Sequence, residues 1–326
     1  MSDPDWTLLA HDQHYPAGAL YVVATPIGNA ADVSLRARYV LGMVDAVACE
    51  DTRNTGQLLN RLGLSRPMLA AHEHNEREAA ARIVARLAQG ERIAYVSDAG
   101  TPGVSDPGSR IVEAVRAAGQ RVIPLPGASA VVTALSAAGE LLDTSGGKFT
   151  FVGFLPPKAG QRDAAIRQWA AHEPAWVLYE APHRIDATLA ALAEHLPARR
   201  LLIGRELTKL FEQIVVLPAA EAPAWLAADA SHGKGEFVLV VEGAGAQDAA
   251  PTAMAADQVL RLLLAGAAPS DILAITFTRK AAEEMRQRLL DILAQLASAD
   301  DEGVVRELIA RTVDEREAPL LIASAR

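Results

Sequence analysis

Residues 93–108 read IAYVSDAGTPGVSDPG. The first five are mostly apolar and predict a buried strand, which is followed by a loop. The loop, 97–108, holds three glycines, two prolines and two aspartates. In sheets of parallel strands, ligands bind beyond the carboxyl ends of the strands. This segment therefore predicts a strand of an α/β fold that is followed by a loop at the edge of the sheet where ligands bind in such folds.

The same alternation of apolar runs and helical patterns extends to both sides of this segment. It predicts a first sheet whose strands are mainly parallel, since helices would connect successive strands. The other strands are predicted at 19–25, 45–50 and 121–125, and the helices near 33–43, 52–62, 106–118 and 128–138.

A second alternation follows a polar, glycine-rich break at 139–148. Its strands are predicted at 149–154, 175–180, 200–204, 213–218 and 237–243, and its helices near 159–171, 183–195 and 219–228. We therefore expect an α/β protein with two α/β domains and a helical C-terminal tail. The expected segments are an N-terminal tail (1–16), the two α/β domains (17–127 and 128–243), a linker (244–258) and the helical tail (259–326).

Composition limits the classes of protein. The chain has 326 residues, half of them hydrophobic, and a net charge of −9. This charge argues against binding to nucleic acid, although residues 148–209 carry nine basic and six acidic side chains.

No apolar run reaches the roughly 18–20 residues that span a bilayer, and the acidic N-terminus does not resemble a signal peptide. Cys49 is the only cysteine, and His72 and His74 would share one face of a strand without a third ligand. A cytoplasmic enzyme with no membrane contact and no metal is expected.

Known nucleotide-binding motifs do not occur in the sequence. It contains no GxGxxG, no GxxxxGK[ST] and no GxSxG, which argues against NAD, ATP and a hydrolase. Two further loops rich in glycine and proline follow predicted strands, ATPIGN (24–29) and PLPGASA (124–130). One such loop is usually an ordinary turn, whereas three at strand ends favour a bound cofactor.

Three polar clusters also follow predicted strands. They are CEDTRNT (49–55), YEAPHRI (179–185) and RELTKLFE (205–212). Charged groups at strand ends are often caps or surface salt bridges. The alternative is a substrate pocket in which a carboxylate accepts a proton and a guanidinium holds a phosphate.

Together these motifs resemble, in order and spacing, a known family. They are TPIGN (25–29), ACEDTRNT (48–55), SDAGTPGVSDPG (97–108), PGASA (126–130), GFLPPK (153–158), YEAPHRI (179–185), RELTK (205–209) and GEFVLVVEG (235–243). The resemblance is to the ribosomal RNA small-subunit methyltransferase I family, cytidine-2′-O-methyltransferases of the tetrapyrrole methylase superfamily, and it covers about 225 residues.

The resemblance implies a cofactor, a substrate and an assembly. S-adenosylmethionine (SAM) would bind in a cleft between the two domains of a homodimer, and the substrate would be a cytidine ribose of 16S rRNA within the small ribosomal subunit. The implied cofactor-binding residues are Pro26, Gly28, Asp98, Gly100, Thr101, Ser129, Ala130, Leu178, Tyr179, Arg205 and Phe237.

The implied reaction needs a proton acceptor, because a ribose 2′-hydroxyl must lose its proton as it attacks the methyl group. The candidate bases are Glu180 and Asp51, with Glu206 as a further candidate. The candidate cations, which would contact phosphate or orient the acids, are Arg53, Arg184, Arg205 and Lys209. The residue types alone do not choose among the acids.

The C-terminal tail departs from this family, whose last segment is a small basic helical domain. Here DILAITFTRKAAEEMRQRL (271–289) resembles a DNA-contacting segment of superfamily I helicases, without their phosphate loop. Three interpretations stay open: a fusion without function, a helical appendage that packs on the body, or a nucleic-acid contact through Arg279, Lys280 and Arg286. For the whole chain, the alternatives are a methylase of a tetrapyrrole or other small molecule, and a nucleic-acid-binding protein without catalysis.

Overall fold

The computed structural model describes residues 9–244 and, near the C-terminus, four helical residues: Gln287, Leu290, Asp291 and Ala294. The chain divides into two units, Met1–Gly243 and Ala244–Arg326. In the second unit, Gln287 donates a hydrogen bond from Nε2 to Oδ1 of Asp291 over 3.0 Å.

Several predictions fall on residues that are not described. They concern most of the linker and of the helical tail, the three candidate tail cations Arg279, Lys280 and Arg286, and the first eight residues of the N-terminal tail.

The first sheet contains five strands: β1 (Ala19–Val23), β2 (Ala46–Cys49), β3 (Met68–Ala70), β4 (Ile93–Val96) and β5 (Arg121–Leu125). The helices between them are α1 (Leu35–Met43), α2 (Thr52–Arg61), α3 (Glu76–Ala88) and α4 (Ser109–Ala117). The strand order is β3-β2-β4-β1-β5 and every pairing is parallel, as the alternation predicted.

The apolar runs of the three central strands, β1, β2 and β4, are buried because helices cover both faces. Every residue of β2 and β4 is buried. On one face, Leu41 of α1 packs in a cluster with Tyr21 of β1, and on the other Ile83 of α3 packs in a cluster with Leu20. Strands buried on both faces are continuous apolar runs rather than alternating ones, which is the pattern in the sequence.

The sequence did not predict strand β3 of the first sheet or helix α3, which packs on that sheet. The helix carries a buried stripe at Ala79, Ala80, Ile83 and Leu87, the spacing of one helical face. His72 and His74 do not lie on a strand: they follow β3 at a short 3₁₀ helix (Glu73–Asn75), with their ring centroids 6.0 Å apart.

The second sheet contains β6 (Phe149–Phe154), β7 (Ala175–Glu180), β8 (Arg200–Arg205), β9 (Gln213–Pro218) and β10 (Phe237–Val241). The accompanying helices are α5 (Ala130–Ser136), α6 (Glu140–Asp143), α7 (Ala159–Ala170), α8 (Ile185–His195) and α9 (Ala222–Ala228). The order is β6-β7-β10-β8-β9. Only β6 and β7 pair in parallel, and the other three pairings are antiparallel.

The antiparallel pairing of β8 with β9 follows from the length of their connection. Seven residues without a helix join β8 to β9, which suffices for a hairpin, whereas a parallel pair needs a longer crossover. The central strand β10 is buried throughout. Helices α7 to α9 cover one face of the sheet, and α5 covers the other.

Helix α5 links the two sheets. It follows β5 of the first sheet directly, yet Val131, Ala134 and Leu135 pack against Val238 and Val240 of β10 in the second. The loop before α5 therefore crosses from one sheet to the other. The predicted domain boundary at 127/128 falls in this loop and stays a prediction.

Two findings on the described residues bear on the predicted absences. No helix there is long and apolar enough to cross a membrane. No group of three or more His, Cys, Asp or Glu side chains in that part of the chain is arranged to hold a metal ion.

Candidate active site

A cavity of about 340 Å³ lies where the loops of the first sheet meet β7 and β10 of the second. From the first half it is lined by Ile27, Ala99, Gly100, Thr101, Val104, Ser105, Asp106, Ser129 and Ala130. From the second half it is lined by Phe154, Tyr179, Glu180, Ala181, Pro182, Leu207, Lys209, Glu236, Phe237 and Val238. Its volume is in the range of small-molecule and cofactor sites.

Backbone hydrogen bonds connect the loops after β1 and β4. The Thr25 N–H donates to the Gly100 carbonyl over 2.9 Å, and the Gly100 N–H donates to the Thr25 carbonyl over 3.0 Å. The Thr101 hydroxyl donates to the Ala128 carbonyl over 2.9 Å and so ties the loop after β4 to the loop after β5. The three glycine- and proline-rich loops of the sequence therefore form one wall of the cavity, and Gly100, Thr101, Ser129 and Ala130 lie on it.

Pro26 and Gly28 belong to the first of these loops but not to the cavity lining. A Cβ atom at Gly28 would lie 2.4 Å from Cγ of Lys209 and 2.7 Å from Oγ1 of Thr208. The next residue, Asn29, donates its N–H to the Thr208 hydroxyl over 3.1 Å. Gly28 thus permits close contact between the first loop and residues 207–209 of the second half.

The cluster after β2 lies beside the cavity. Asp98 accepts hydrogen bonds from the Asp51 N–H at 3.1 Å and from Nδ2 of Asn54 at 2.8 Å, which holds this loop against the loop after β4. Asp51 caps α2 by accepting the Arg53 N–H at 2.7 Å, and its Oδ2 lies 2.6 Å from Nη2 of Arg53. Side-chain hydrogen bonds from Arg53 lower the pKa of Asp51 to about 2. Asp98, Asp51 and Arg53 are all absent from the cavity lining.

Glu180 reaches the cavity wall, but its side chain is fully buried behind it. Oε1 accepts the Ala181 N–H at 2.8 Å, and Oε2 accepts the Thr188 hydroxyl at 2.6 Å. Nε of Arg184 lies 3.1 Å from Oε1, and Nη2 of Arg184 donates to the Leu155 carbonyl. Both carboxylate oxygens are therefore occupied in fixing the turn between β7 and α8.

The predicted cofactor-binding residues of β7, Leu178 and Tyr179, lie on opposite faces of the second sheet. Leu178 packs with Trp176 in the cluster under α7 and α8, whereas Tyr179 lies with Val177 on the α5 side, and Tyr179 lines the cavity. Phe237 also lines the cavity at the start of β10. Neighbouring side chains on a strand point to opposite faces, so Leu178 belongs to the core.

The third cluster is held together by ion pairs. Nζ of Lys209 lies 2.8 Å from Oε1 of Glu206 and 2.8 Å from Oε2 of Glu236, and the Glu236 N–H also donates to Glu206. Burial opposes ionisation of Glu206, but the hydrogen bonds from Lys209 and Glu236 lower its pKa overall. Buried Arg205 points elsewhere: it donates to Oε1 of Gln213 and to the Lys234 carbonyl. Of this cluster, Lys209 and Glu236 line the cavity, and Glu206 and Arg205 do not.

Glu236 and Asp106 are two acidic residues of the lining that the sequence did not single out, and Asp106 is the more buried of them. Burial raises its pKa, a hydrogen bond with the Ser97 side chain lowers it, and the nearby charge of Asp98 raises it, with a net increase. Asp106 belongs to the quoted loop motif, so the signal was present. Its partly buried position in the cavity depends on the conformation of the loop, which the sequence does not show.

The lining suits the predicted cofactor. SAM combines a sulfonium and an ammonium with an apolar methionine chain and a flat purine. Ile27, Val104 and Leu207 supply apolar contacts, and Glu236 supplies negative charge for its cations. These residues would hold the cofactor, which supplies an electrophilic methyl group when bound.

Comparisons with known proteins address the family. The model of the tetrapyrrole (corrin/porphyrin) methylases matches residues 19–223. A Neisseria meningitidis serogroup B protein named ribosomal RNA small subunit methyltransferase I is 45% identical over 248 residues, which are 76% of this chain and 84% of that protein. Its namesake from Xylella fastidiosa is 48% identical over 235 residues, 72% of this chain and 84% of the relative.

The chain belongs to the ribosomal RNA small subunit methyltransferase I family, within the tetrapyrrole methylases. The family predicted from the eight motifs is thus confirmed, as is the class of enzyme, a SAM-dependent methyltransferase. Solved structures agree on the fold: the methyltransferase CobJ superposes with a TM-score of 0.53 at 23% identity, covering 70% of this chain and 95% of CobJ.

A second match concerns the C-terminal part of this family member. The UvrD/REP helicase N-terminal domain matches residues 227–321, a range that contains the segment predicted to resemble a helicase. The resemblance of the tail is confirmed, and its role stays a prediction.

Proposed function

We propose that this chain transfers the methyl group of SAM to the 2′-hydroxyl of a cytidine ribose in 16S rRNA. The observation that carries the proposal is the cavity itself. One of its walls consists of the three strand-end loops, and its lining includes one partly buried carboxylate, Asp106. The relatives named for small-subunit ribosomal RNA supply the class of substrate.

Asp106 is the strongest candidate for the proton acceptor. A general base works best when its pKa approaches the working pH, and burial moves the pKa of Asp106 in that direction. Asp51 has the opposite shift, and Glu206 is paired with Lys209. The two oxygens of Glu180 are occupied by Ala181 and Thr188. For Asp51, Glu180 and Glu206 a catalytic role stays a prediction, and we propose that they position the surrounding loops.

The predicted cations take different parts in this proposal. Lys209 lies at the cavity between two carboxylates, where it holds the rim in place. Arg53 is mostly exposed beside the cavity and is available to a phosphate if RNA displaces Asp51. Arg184 and Arg205 hold their own loops together through backbone carbonyls.

We also propose that the enzyme is a homodimer that works in the cytoplasm, where its substrate is. The edge strand β9 exposes Ile214 and Val216, and the loop before it exposes Leu210 and Phe211. An apolar edge strand of this kind favours pairing with another chain. Sedimentation that gives a monomer at micromolar concentration would remove the dimer from the proposal.

The experiment supplies labelled SAM to the purified chain with small ribosomal subunits, free 16S rRNA or a reduced tetrapyrrole as acceptor. We expect label in the subunits, at a cytidine whose phosphodiester bond resists alkaline cleavage, because a methylated 2′-oxygen cannot attack the phosphate. A chain ending at Ala244 tests the tail in parallel. Label only in the tetrapyrrole would support the small-molecule alternative, and no label in any acceptor would contradict methyl transfer.

A further inference from the structure

Phe154 is an exposed aromatic residue at the mouth of the cavity. It is the last residue of β6, its side chain is 51% exposed, and it lines the cavity. Phe149, the first residue of the same strand, is 46% exposed but is absent from the cavity lining. The two rings are therefore comparable in chemistry and exposure and differ in their relation to the cavity.

A β-bulge determines which way Phe154 faces. Phe151 pairs with Val177, and Phe154 pairs with Tyr179, so three steps on β6 match two steps on β7. Regular alternation would place residue 154 on the same face as Val152, which packs under the helices. The extra residue reverses this and brings Phe154 to the face of Tyr179.

The bulge is built around Gly153. Its φ of +70° lies in the left-handed region, which glycine enters without steric cost. A Cβ atom there would lie 3.6 Å from Oγ of Ser105, so the end of β6 adjoins the loop that carries Asp106. Bulges of this kind often re-aim a side chain beside an active site.

Neighbouring aromatic rings hold Phe154 in place. The centroid of Tyr179 lies 5.8 Å from that of Phe154, at an interplanar angle of 62°. The ring of Phe151 also contacts that of Tyr179, with centroids 5.0 Å apart and an interplanar angle of 63°. Phe154 is thus an oriented ring with about half of its surface open to solvent.

We propose that Phe154 is a stacking platform for the base of the acceptor nucleotide, supported by Tyr179. This rests on the proposed function. An RNA base must leave its neighbours before its ribose can enter a cavity, and stacking on a protein ring replaces part of the lost contact. Stacking is tolerant of base identity, so the platform positions the nucleotide, and other contacts must select cytidine.

The test compares Phe154→Ala with the matched control Phe149→Ala in the full chain. For Phe154→Ala we expect the KM for small subunits to rise roughly tenfold to a hundredfold, with an unchanged Kd for SAM. Phe154→Trp is expected to restore the KM, and Phe154→Leu to leave it raised. Phe149→Ala should keep the wild-type KM.

Three results would overturn the platform. An equal loss of SAM affinity in Phe154→Ala would assign the ring to the cofactor. Full activity of Phe154→Leu would show that only apolar volume matters. A change in sedimentation with an unchanged KM would assign the ring to contacts between copies of the chain.

A second readout separates the platform from the proposed reaction. Quenching of the Trp fluorescence of Phe154→Trp by a single-stranded cytidine oligonucleotide, beyond that of the wild-type chain, supports the platform without turnover. Such quenching alongside a wild-type chain that methylates no RNA would contradict the reaction alone. An active wild type whose KM does not change in Phe154→Ala would contradict the platform alone.

Discussion

The loops after β2 and β4 follow adjacent parallel strands, are joined by hydrogen bonds from Asp98, and differ in what surrounds their acids. Asp51 in the first loop is paired with Arg53, and its pKa falls to about 2. Asp106 in the second is partly buried at the cavity, and its pKa is raised. An acid two residues before an arginine suggests a catalytic pair. The hydrogen bonds from that arginine, however, lower the pKa of the acid and so make it a weak base.

The largest expected effect is that of Asp106→Asn. Because loss of a general base usually costs about 100-fold or more in rate, we expect kcat to fall by at least that factor, with a small change in the KM for SAM. Asp51→Asn, the matched change in the neighbouring loop, should lower kcat by less than about tenfold. Single-turnover methylation measures both, and the reverse order would exchange the roles of the two loops.

The pH dependence of the same reaction sharpens this comparison. The reaction needs ionised Asp106, so kcat should fall as the pH drops through a pKa above the usual value for aspartate of about 3.9. Asp51 stays ionised down to about pH 2 and would leave no such limb in the accessible range. A flat profile between pH 5 and 8 is compatible with Asp106 only if its pKa stays below that range. If the kcat of Asp106→Asn still falls as the pH drops, another group is the base.

The next largest effect is expected for Glu180→Gln, which tests a residue behind the cavity wall. Removing the charge leaves Arg184 partly buried without its partner, so we expect the free energy of unfolding to fall by about 2–4 kcal/mol. If Glu180 only fixes the turn, kcat should stay within about fivefold of the wild-type value below the melting temperature, since positioning residues cost less than the base itself. A fall in kcat as large as that of Asp106→Asn would restore Glu180 as the base.

Gly28→Ala tests the contact between the loop after β1 and residues 207–209. The added Cβ would lie 2.4 Å from Cγ of Lys209, so residues 207–209 must move away from the first loop. We expect the Kd for SAM to rise about tenfold, equivalent to about 1.4 kcal/mol. Gly160→Ala, at a helical glycine with nothing within 4 Å of the added atom, is the control and should leave that Kd unchanged.

The smallest effect is expected for Glu242→Gln, far from both loops. Burial opposes ionisation of Glu242, but hydrogen bonds from Arg200 lower its pKa overall, so its stabilisation is present above the unfolded pKa and is lost as the pH falls through the folded one. At pH 7 the variant should lose about 1 kcal/mol of unfolding free energy, and the difference should vanish in acid. A difference in unfolding free energy that persists after Glu242 is protonated in the folded state would point to packing rather than charge.

The sequence predicted the fold well where local patterns determine it. Strand-end loops rich in glycine and proline marked the cavity wall because such residues are needed where strands stop. The helix at 76–88 was missed although its buried stripe is visible in the sequence. The antiparallel pairings of β10 could not be predicted, because apolar runs carry no strand direction.

The site was predicted at the level of loops rather than of side chains. A motif places Leu178, Tyr179 and Glu180 together, but Tyr179 and Glu180 line the cavity whereas Leu178 packs in the core. Gly28 and Asp98 hold loops against one another instead of lining the cavity. Their residue types did not predict this role. The face of the sheet on which Phe154 lies depends on a bulge of one residue, which the local sequence does not predict.

The passage of the chain from β5 to α5 has a thermodynamic consequence. Ser129 and Ala130 lie in that passage and line the cavity, so a bound cofactor would touch both sheets where the backbone crosses between them. If either sheet unfolds, the binding free energy is lost, which at a ligand concentration of 100 times Kd is about 2.7 kcal/mol. The bound cofactor would then couple the unfolding of the first sheet to that of the second.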